Sequence, residues 1–189
     1  MNVRRARRSD LPFIRTLLAD TLAESVPDVR DIPNERIEKM ARTEVDLESM
    51  LDRRRQFAFL VATEGEERSG FLILEFNQVE ETTGEAQTVI YHLAVTPKYL
   101  GHRVDRKLVT EAARITHRRG VRYMVGRISA SNRRALLAAM RQGFELERHQ
   151  LVMACGPEGG LKMPGRPDHE KAHDVQRAAR RRQKREAEH

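Results

Sequence analysis

Titratable side chains on two segments rich in β-forming residues are the first candidates for proton-transfer chemistry. Glu75 lies in one segment, and Tyr91 and His92 lie in the next. Carboxylates, phenols and imidazoles are common general acids and bases in enzymes. Each residue also has a structural interpretation: a histidine on a central strand is commonly packed and hydrogen-bonded. Glu75 alternates with Leu74 and Phe76, as a side chain on the solvated face of a strand would.

The elements that must position these side chains follow an α/β pattern. Apolar periodicity predicts the order β-α-α-β-β-β-α-β-α-β, which indicates a mixed, largely antiparallel sheet flanked by helices. The predicted strands are 3–6, 57–62, 70–76, 87–95, 121–128 and 144–154. The predicted helices run from Leu11 to Leu22, from Ile37 to Leu51, from Val104 to Ile115 and from Asn132 to Gln142.

Individual residues mark the ends of these elements. Pro97 closes the strand that carries His92, because proline cannot donate to a strand ladder. Gly101 is suited to the entry of the next helix, Asn132 to a helix N-cap and Gly143 to a C-cap.

The charge balance favours polyanionic partners. The 189 residues include 35 lysines and arginines against 28 acids, which gives a formal net charge of +7. Nucleic acid, a phosphate-rich cofactor and an acidic protein surface all fit this balance. No stretch is apolar enough to predict a membrane partner, and we expect a cytoplasmic protein. Cys155 is the only cysteine, so neither an internal disulfide nor a metal site is predicted.

The composition changes after residue 155. Glycines and prolines recur from Gly156 to Pro167, and a dense basic cluster follows within Ala172 to Glu188. We therefore expect a domain of residues 1–155, followed by a linker and basic tail of residues 156–189. The tail is expected to contact a partner protein or nucleic acid.

Three stretches together resemble the GNAT superfamily of N-acetyltransferases. Val3 to Leu11 resembles the family's first strand and helix start, and Leu93 to Gly101 resembles its fourth strand and acyl-CoA pyrophosphate loop. The family's late helix, Asn-x-x-Ala ending in Gly-Phe, is matched by Ser131-Asn132, Ala135 and Gly143-Phe144. The chain is identified as a divergent member of this superfamily.

This resemblance implies transfer of an acetyl group from acetyl-CoA to an amine on a small molecule or a protein. Strand backbone would pair with the pantetheine arm, and loop amides at a helix N-terminus would face the pyrophosphate. The cofactor-binding residues that the resemblance predicts are Leu93, Val95, Gly101, His102, Arg103, Val104 and Asn132.

The sequence departs from the family pattern at the phosphate loop and at both usual proton-transfer positions. Gly101 is retained, but Arg103 replaces a glycine and Asp105 adds a carboxylate. The position of the family's glutamate holds Val89, and that of its tyrosine holds Ala139. The predicted catalytic substitutes are His92, Tyr91 and Glu75.

Two functional hypotheses follow from the sequence. The first is an acetyl-CoA-dependent N-acetyltransferase. The second is a catalytically degenerate GNAT-fold structural or assembly protein that docks through its basic tail. Because degenerate members of this superfamily occur in tailed phages, a location within an assembly such as a virion stays open.

Overall fold

A five-stranded sheet organises the protein. The computed structural model describes residues 1–30 and 32–152. The strands lie side by side in chain order, antiparallel except that the last two are parallel. They are β1 Asn2–Arg5, β2 Phe57–Glu64, β3 Glu67–Val79, β4 Ala86–Val95 and β5 Tyr123–Gly126. The predicted α/β class with a mixed, largely antiparallel sheet is confirmed.

Helices cover both faces of this sheet. One face packs against α1 Leu11–Thr21 and α3 Leu47–Asp52, and the other packs against α4 Val104–Arg118. A further helix, α2 Asn34–Lys39, contacts α1. The alternation of β2 creates the two cores, since Phe59 faces α1 and Leu60 faces α4. A fifth helix, α5 Arg133–Arg141, follows β5.

The predicted second helix is broken in two. After α2 the chain makes a π turn over Met40–Glu44 and leaves helical geometry at Val45. The Asp46 side chain then accepts a hydrogen bond from the Ser49 amide at 3.0 Å and starts α3 as its N-cap. Arg15 of α1 donates to the Val45 carbonyl at 3.1 Å, which satisfies a backbone group exposed by the break.

The predicted last strand does not form over residues 144–152, the part of it that the structure describes. Gly143, with φ at +96°, ends α5, and the chain continues without a ladder partner. Leu146 and Leu151 are 58% and 93% exposed, so the alternating apolar residues have no surface here on which to pack. A strand requires such a surface, and the prediction was wrong for these residues.

The chain divides into a first unit, Met1–Leu146, and a second, Glu147–His189, of which residues 147–152 are described. The predicted boundary near residue 155 and the basic tail lie outside the described residues and stay predictions. In the part of the chain that the structure describes, no helix is long and apolar enough to cross a bilayer.

The start of α4 lies unusually close to the sheet. A Cβ atom added to Gly70 of β3 would come within 2.7 Å of the Ala94 carbonyl oxygen and 3.2 Å of a Val104 side-chain carbon. Only glycine leaves this space open. The N-terminus of α4 is thereby held against the end of β4.

The turn from β1 into α1 is held by a buried carboxylate. Asp10 is fully buried and accepts two hydrogen bonds from Arg4, at 2.7 and 3.0 Å, and one from Arg68 at 2.6 Å. It also accepts a hydrogen bond from the Arg7 amide at 2.8 Å. The hydrogen bond from Arg4 is the main reason that the pKa of Asp10 lies far below its usual range.

Candidate functional site

The two parallel strands separate halfway along β4. Gln87–Ile90 of β4 pair with Tyr123–Gly126 of β5, and the ladder ends there. On its other edge β4 stays paired with β3 as far as Val95. Among the described residues, the β5-facing edge of 91–95 therefore has no strand partner. Such an edge exposes backbone N–H and C=O groups that can pair with an extended ligand.

A β-bulge lies at the start of this opening. Ile73 pairs with His92 and Leu74 pairs with Ile90, so Tyr91 is the extra residue on β4. The bulge interrupts the alternation of the strand. As a result, Tyr91 and His92 both lie on the face covered by α1 and α3.

His92 is a packed residue between α1 and β4. It is 6% exposed, its ring stacks on Phe71 with a centroid distance of 5.7 Å, and its Nε2 lies 2.9 Å from the Thr21 hydroxyl. Thr21 donates its one proton to the Leu17 carbonyl, so His92 carries its proton on Nε2 and donates it to Thr21. These contacts give His92 a packing role, and a catalytic role stays a prediction.

The burial of His92 makes stability depend on pH. Burial lowers its pKa to about 4, below the value near 6.5 of an unfolded histidine. The unfolded chain thus binds more protons between these values, so the free energy of unfolding decreases as the pH is lowered through this window. We expect His92 to account for a loss of about 2 to 3 kcal/mol from pH 7 to pH 4.5.

Chemical denaturation of the wild type and of His92→Gln at several pH values checks this. The difference in unfolding free energy between the two proteins should shrink by that amount as the pH falls to 4.5. A constant difference would show that His92 titrates normally in the folded protein.

Glu75 lies directly opposite Val89 on the neighbouring strand. Directly opposed residues share a face of the sheet, with Cβ atoms about 5 Å apart. Gln78 donates a hydrogen bond to Glu75 Oε1 at 3.0 Å and so orients the carboxylate. A second bulge, with Asn77 at φ +61°, turns β3 between Glu75 and Gln78 and makes this contact sterically accessible.

Tyr91 lies next to this carboxylate, 43% exposed. Partial burial, and then the negative charge of Glu75, raise the pKa of Tyr91 above its usual range. Tyr91 therefore keeps its proton at neutral pH and can donate it. Together, Glu75 and Tyr91 combine a proton acceptor and a proton donor beside the bulge.

An open hollow of about 360 Å³ leads to Tyr91. Side chains of the broken helical segment form its walls, and both apolar and acidic groups are present. The lining residues are Met40, Glu44, Val45, Asp46, Met50, Arg53 and Tyr91. The helix break at Val45 thus contributes directly to the shape of the hollow.

The loop after β4 presents amide groups at the start of α4. Gly101 has φ at +85°, and Arg103 has φ at +60° and ψ at 24°, the left-handed conformation that favours glycine. Within the described residues, no hydrogen-bond acceptor is found for the amides of Gly101, Arg103, Val104, Asp105 and Arg106. Free amides at a helix N-terminus form an anion-binding site.

The side chains around this loop add positive charge. His102, Arg103 and Arg106 are exposed, and none has an acidic partner in the described part of the chain. The carboxylate of Asp105 accepts a hydrogen bond at 2.7 Å from Gln142, which holds it toward the end of α5.

Asn132 holds the start of α5. Its side chain accepts a hydrogen bond from the Ala135 amide at 3.0 Å and donates one to the Glu24 carbonyl at 3.2 Å. Next to it, the Ser131 hydroxyl donates to Asp28 at 3.1 Å. These bonds join the segment after β5 to the turns that follow α1.

Comparison with known protein families identifies this architecture. The profile described as the acetyltransferase (GNAT) family matches residues 25–144, more than half of the chain. The chain belongs to the GNAT acetyltransferase family. The matched range includes the broken helical segment, the β4–β5 opening and α5.

Solved structures of similar fold include aminoglycoside acetyltransferases and a transcriptional regulator. The aminoglycoside N-acetyltransferase AAC(6')-Iy, solved with CoA, is 18% identical with a TM-score of 0.61, and the match covers 80% of this chain and 96% of that one. A transcriptional regulator from Bacillus halodurans C-125 is 20% identical with a TM-score of 0.62, covering 81% and 98%. The aminoglycoside acetyltransferase meta-AAC0020 from an uncultured soil metagenomic sample, solved with sisomicin, is 19% identical with a TM-score of 0.58, covering 82% and 95%.

At these identities the likeness shows the fold alone. Comparison with curated proteins gave no match.

Two residues that contact the candidate site residues escaped the sequence analysis. Thr21 fixes the proton of His92, and Gln78 orients Glu75. Both contacts depend on tertiary structure: Thr21 is 71 residues away from His92, and Gln78 reaches Glu75 only because of a bulge. A polar residue three positions after a candidate carboxylate is the one local signal that points to Gln78.

The left-handed conformation of Arg103 predicts a stability effect. A side chain in this conformation costs about 1 kcal/mol relative to glycine. Arg103→Gly should therefore raise the free energy of unfolding by up to about 1 kcal/mol, whereas Arg103→Ala keeps the strained conformation and should leave stability unchanged. Denaturant titration of the two variants checks this, and equal stabilities would argue against the conformation described for the loop.

Proposed function

We propose that this GNAT protein transfers the acetyl group of acetyl-CoA to an amine at the β4–β5 opening. The observation that carries the proposal is the conformation of the phosphate loop. Although Arg103 replaces a glycine, the backbone still turns through left-handed geometry and leaves consecutive amides free at the α4 N-terminus. This backbone geometry supports anion binding by the loop despite the altered sequence.

Residues of the loop and of β4 are suited to two parts of acetyl-CoA, the pyrophosphate and the pantetheine arm. The amides of Gly101 and Arg103 to Arg106 would hold the pyrophosphate, with His102, Arg103 and Arg106 adding positive charge. The free edge of β4 at Leu93 and Val95 would pair with the pantetheine arm through backbone groups. Asn132, at the N-terminus of α5 after β5, is proposed to contact the cofactor as well. When bound, acetyl-CoA supplies an activated thioester.

Glu75 is the proposed general base. It faces the side of the sheet that carries the hollow, it is oriented by Gln78, and it lies opposite the position that a glutamate occupies in many GNAT proteins. An amine must lose a proton to attack a thioester, and a carboxylate within reach, directly or through water, accepts that proton. In this proposal the carboxylate comes from β3 and not from the position of Val89 on β4, but both positions lie on the same face of the sheet.

Tyr91 is the proposed general acid. Its raised pKa keeps the phenol protonated, so it can donate a proton to a departing thiolate. Its place at the rim of the hollow is next to both the open strand edge and Glu75. The amine acceptor is proposed to enter through the hollow.

A thiol-release assay tests the proposal. The full chain is incubated with acetyl-CoA and a panel of amines that includes sisomicin, spermidine and a lysine peptide, and free CoA thiol is measured. We expect amine-dependent release for at least one class, above the hydrolysis seen without amine. If acetyl-CoA binds but no acceptor is found, the cofactor site is supported and the acceptor assignment is not; if acetyl-CoA does not bind at millimolar concentration, the whole proposal fails.

A further inference from the structure

Arginine side chains collect at the end of the sheet opposite the phosphate loop. Arg5 ends β1, Arg53 to Arg55 precede β2, Arg119 follows the end of α4, and Arg122 precedes β5. The antiparallel pairing of β1 with β2 and the direction of β5 place these residues at one end. The arginine patch is defined as Arg5, Arg53, Arg54, Arg55, Arg119 and Arg122.

The arginine patch is not neutralised by neighbouring acids. None of its members forms an ion pair with a described residue. Two acids near it are already paired, Asp52 with Arg8 at 2.5 Å and Glu111 with Arg114 and Arg118. Glu81 and Glu85, in the turn between β3 and β4 at the same end of the sheet, are exposed and form no ion pair with the patch in the described part of the chain. Partial burial and the charges of Arg119 and Arg118 lower the pKa of Arg5, as expected for a cation among cations.

Part of the patch is held rigidly. Arg119 stacks on Phe76 at 3.7 Å and donates to the carbonyls of Arg54 and Arg55 at 3.2 and 3.3 Å. These bonds fix the backbone from which Arg54 and Arg55 project beside an open hollow of about 450 Å³. The patch therefore presents exposed guanidinium groups from a fixed loop rather than from a freely moving chain.

We propose that the arginine patch binds the phosphate backbone of double-stranded nucleic acid, independently of acetyl transfer. Guanidinium groups bind phosphate oxygens in a bidentate manner, which suits closely spaced arginines to such a backbone. Two aromatic rings at the patch, Phe76 and Phe57, are buried beneath Arg119 and Arg53, and a third, Tyr123, is 41% exposed with Arg122 at 5.1 Å from its ring. One exposed ring does not form a stacking platform for successive unpaired bases. In this proposal the patch binds the phosphate groups through their charge and spacing, and it does not distinguish one base sequence from another.

Fluorescence anisotropy of a labelled 20-base-pair DNA duplex tests the proposal with the full chain. The patch variant is Arg5→Gln/Arg54→Gln/Arg55→Gln. The charge-matched control is Arg42→Gln/Arg133→Gln/Arg134→Gln, at exposed positions on other surfaces. The slope of log K against log salt is negative, and each lost phosphate contact reduces its magnitude by about 0.9. The slope of the patch variant should therefore be shallower by roughly two to three units. The patch variant should also bind at least tenfold more weakly at 100 mM KCl.

The control should bind within about threefold of wild type, since the two variants have the same net charge and the same residues 153–189. Equal weakening in both variants would overturn the proposal, because net charge or another part of the chain would then be responsible. Displacement of the duplex by poly-L-glutamate at equal charge concentration would also overturn it, in favour of an acidic protein partner. Unchanged secondary structure by circular dichroism confirms that the patch variant is folded.

Discussion

Replacing Glu75 with glutamine should lower kcat for acetyl transfer about 100- to 10,000-fold, the usual contribution of a general base. The amide has nearly the same size and can keep the contact with Gln78, but it cannot accept a proton from the amine. Acetyl-CoA affinity should stay within about twofold, because Glu75 lies on β3, away from the phosphate loop. Steady-state kinetics and calorimetry on the same preparation measure both quantities.

The cross-strand register provides a sharper version of this test. Because Glu75 and Val89 are directly opposed, the double variant Glu75→Gln/Val89→Glu returns a carboxylate to the same face. The kcat of this double variant should be at least tenfold higher than that of Glu75→Gln alone. Glu66→Gln, in the exposed turn between β2 and β3, is the matched control and should have wild-type activity. A full-rate Glu75→Gln enzyme would show that the base lies elsewhere.

The second large effect is expected at Asp10. Asp10→Asn should lower the free energy of unfolding by about 3 kcal/mol, because it leaves Arg4 and Arg68 facing a neutral amide at a buried position. Asp52→Asn removes a pair whose side chains are both mainly exposed and should cost less than about 1 kcal/mol. Urea denaturation at pH 7 compares the two variants.

The pH dependence of this effect has a definite sign. The pKa of Asp10 is lowered in the folded protein, so its contribution is present above the unfolded value near 3.9 and is lost as the pH falls below it. The difference between wild type and Asp10→Asn should therefore shrink below pH 4. A difference that is unchanged down to pH 2 would contradict the network described here.

Much of the fold could be predicted because local patterns agree with tertiary packing. The alternation in β2 and the apolar stripe of α4 match the faces that each buries. The break at Val45 could not be predicted from periodicity, since the apolar spacing continues through it and only the capping geometry of Asp46 reveals it. The final predicted strand failed because alternation alone does not supply a neighbouring surface.

The candidate site residues could be named from residue type, but their arrangement could not. The sequence offers Glu75 and Tyr91 as candidate catalytic residues, yet the pairing of Glu75 with Val89 and the bulge at Tyr91 depend on strand register. The loop is the opposite case: Arg103 in place of glycine argues against a left-handed turn, and the surrounding structure imposes that turn all the same.

A titration of the ¹⁵N-labelled full chain with acetyl-CoA, followed by amide chemical shifts, tests the central claim most directly. Saturable shifts should be largest for the free amides of Gly101 and Arg103 to Arg106, followed by residues 91–95 on the open edge of β4. Arg5, Arg54 and Arg55, at the opposite end of the sheet, should be unaffected. Shifts confined to that end, or none at millimolar acetyl-CoA, would contradict an acetyl-CoA site in the β4–β5 opening.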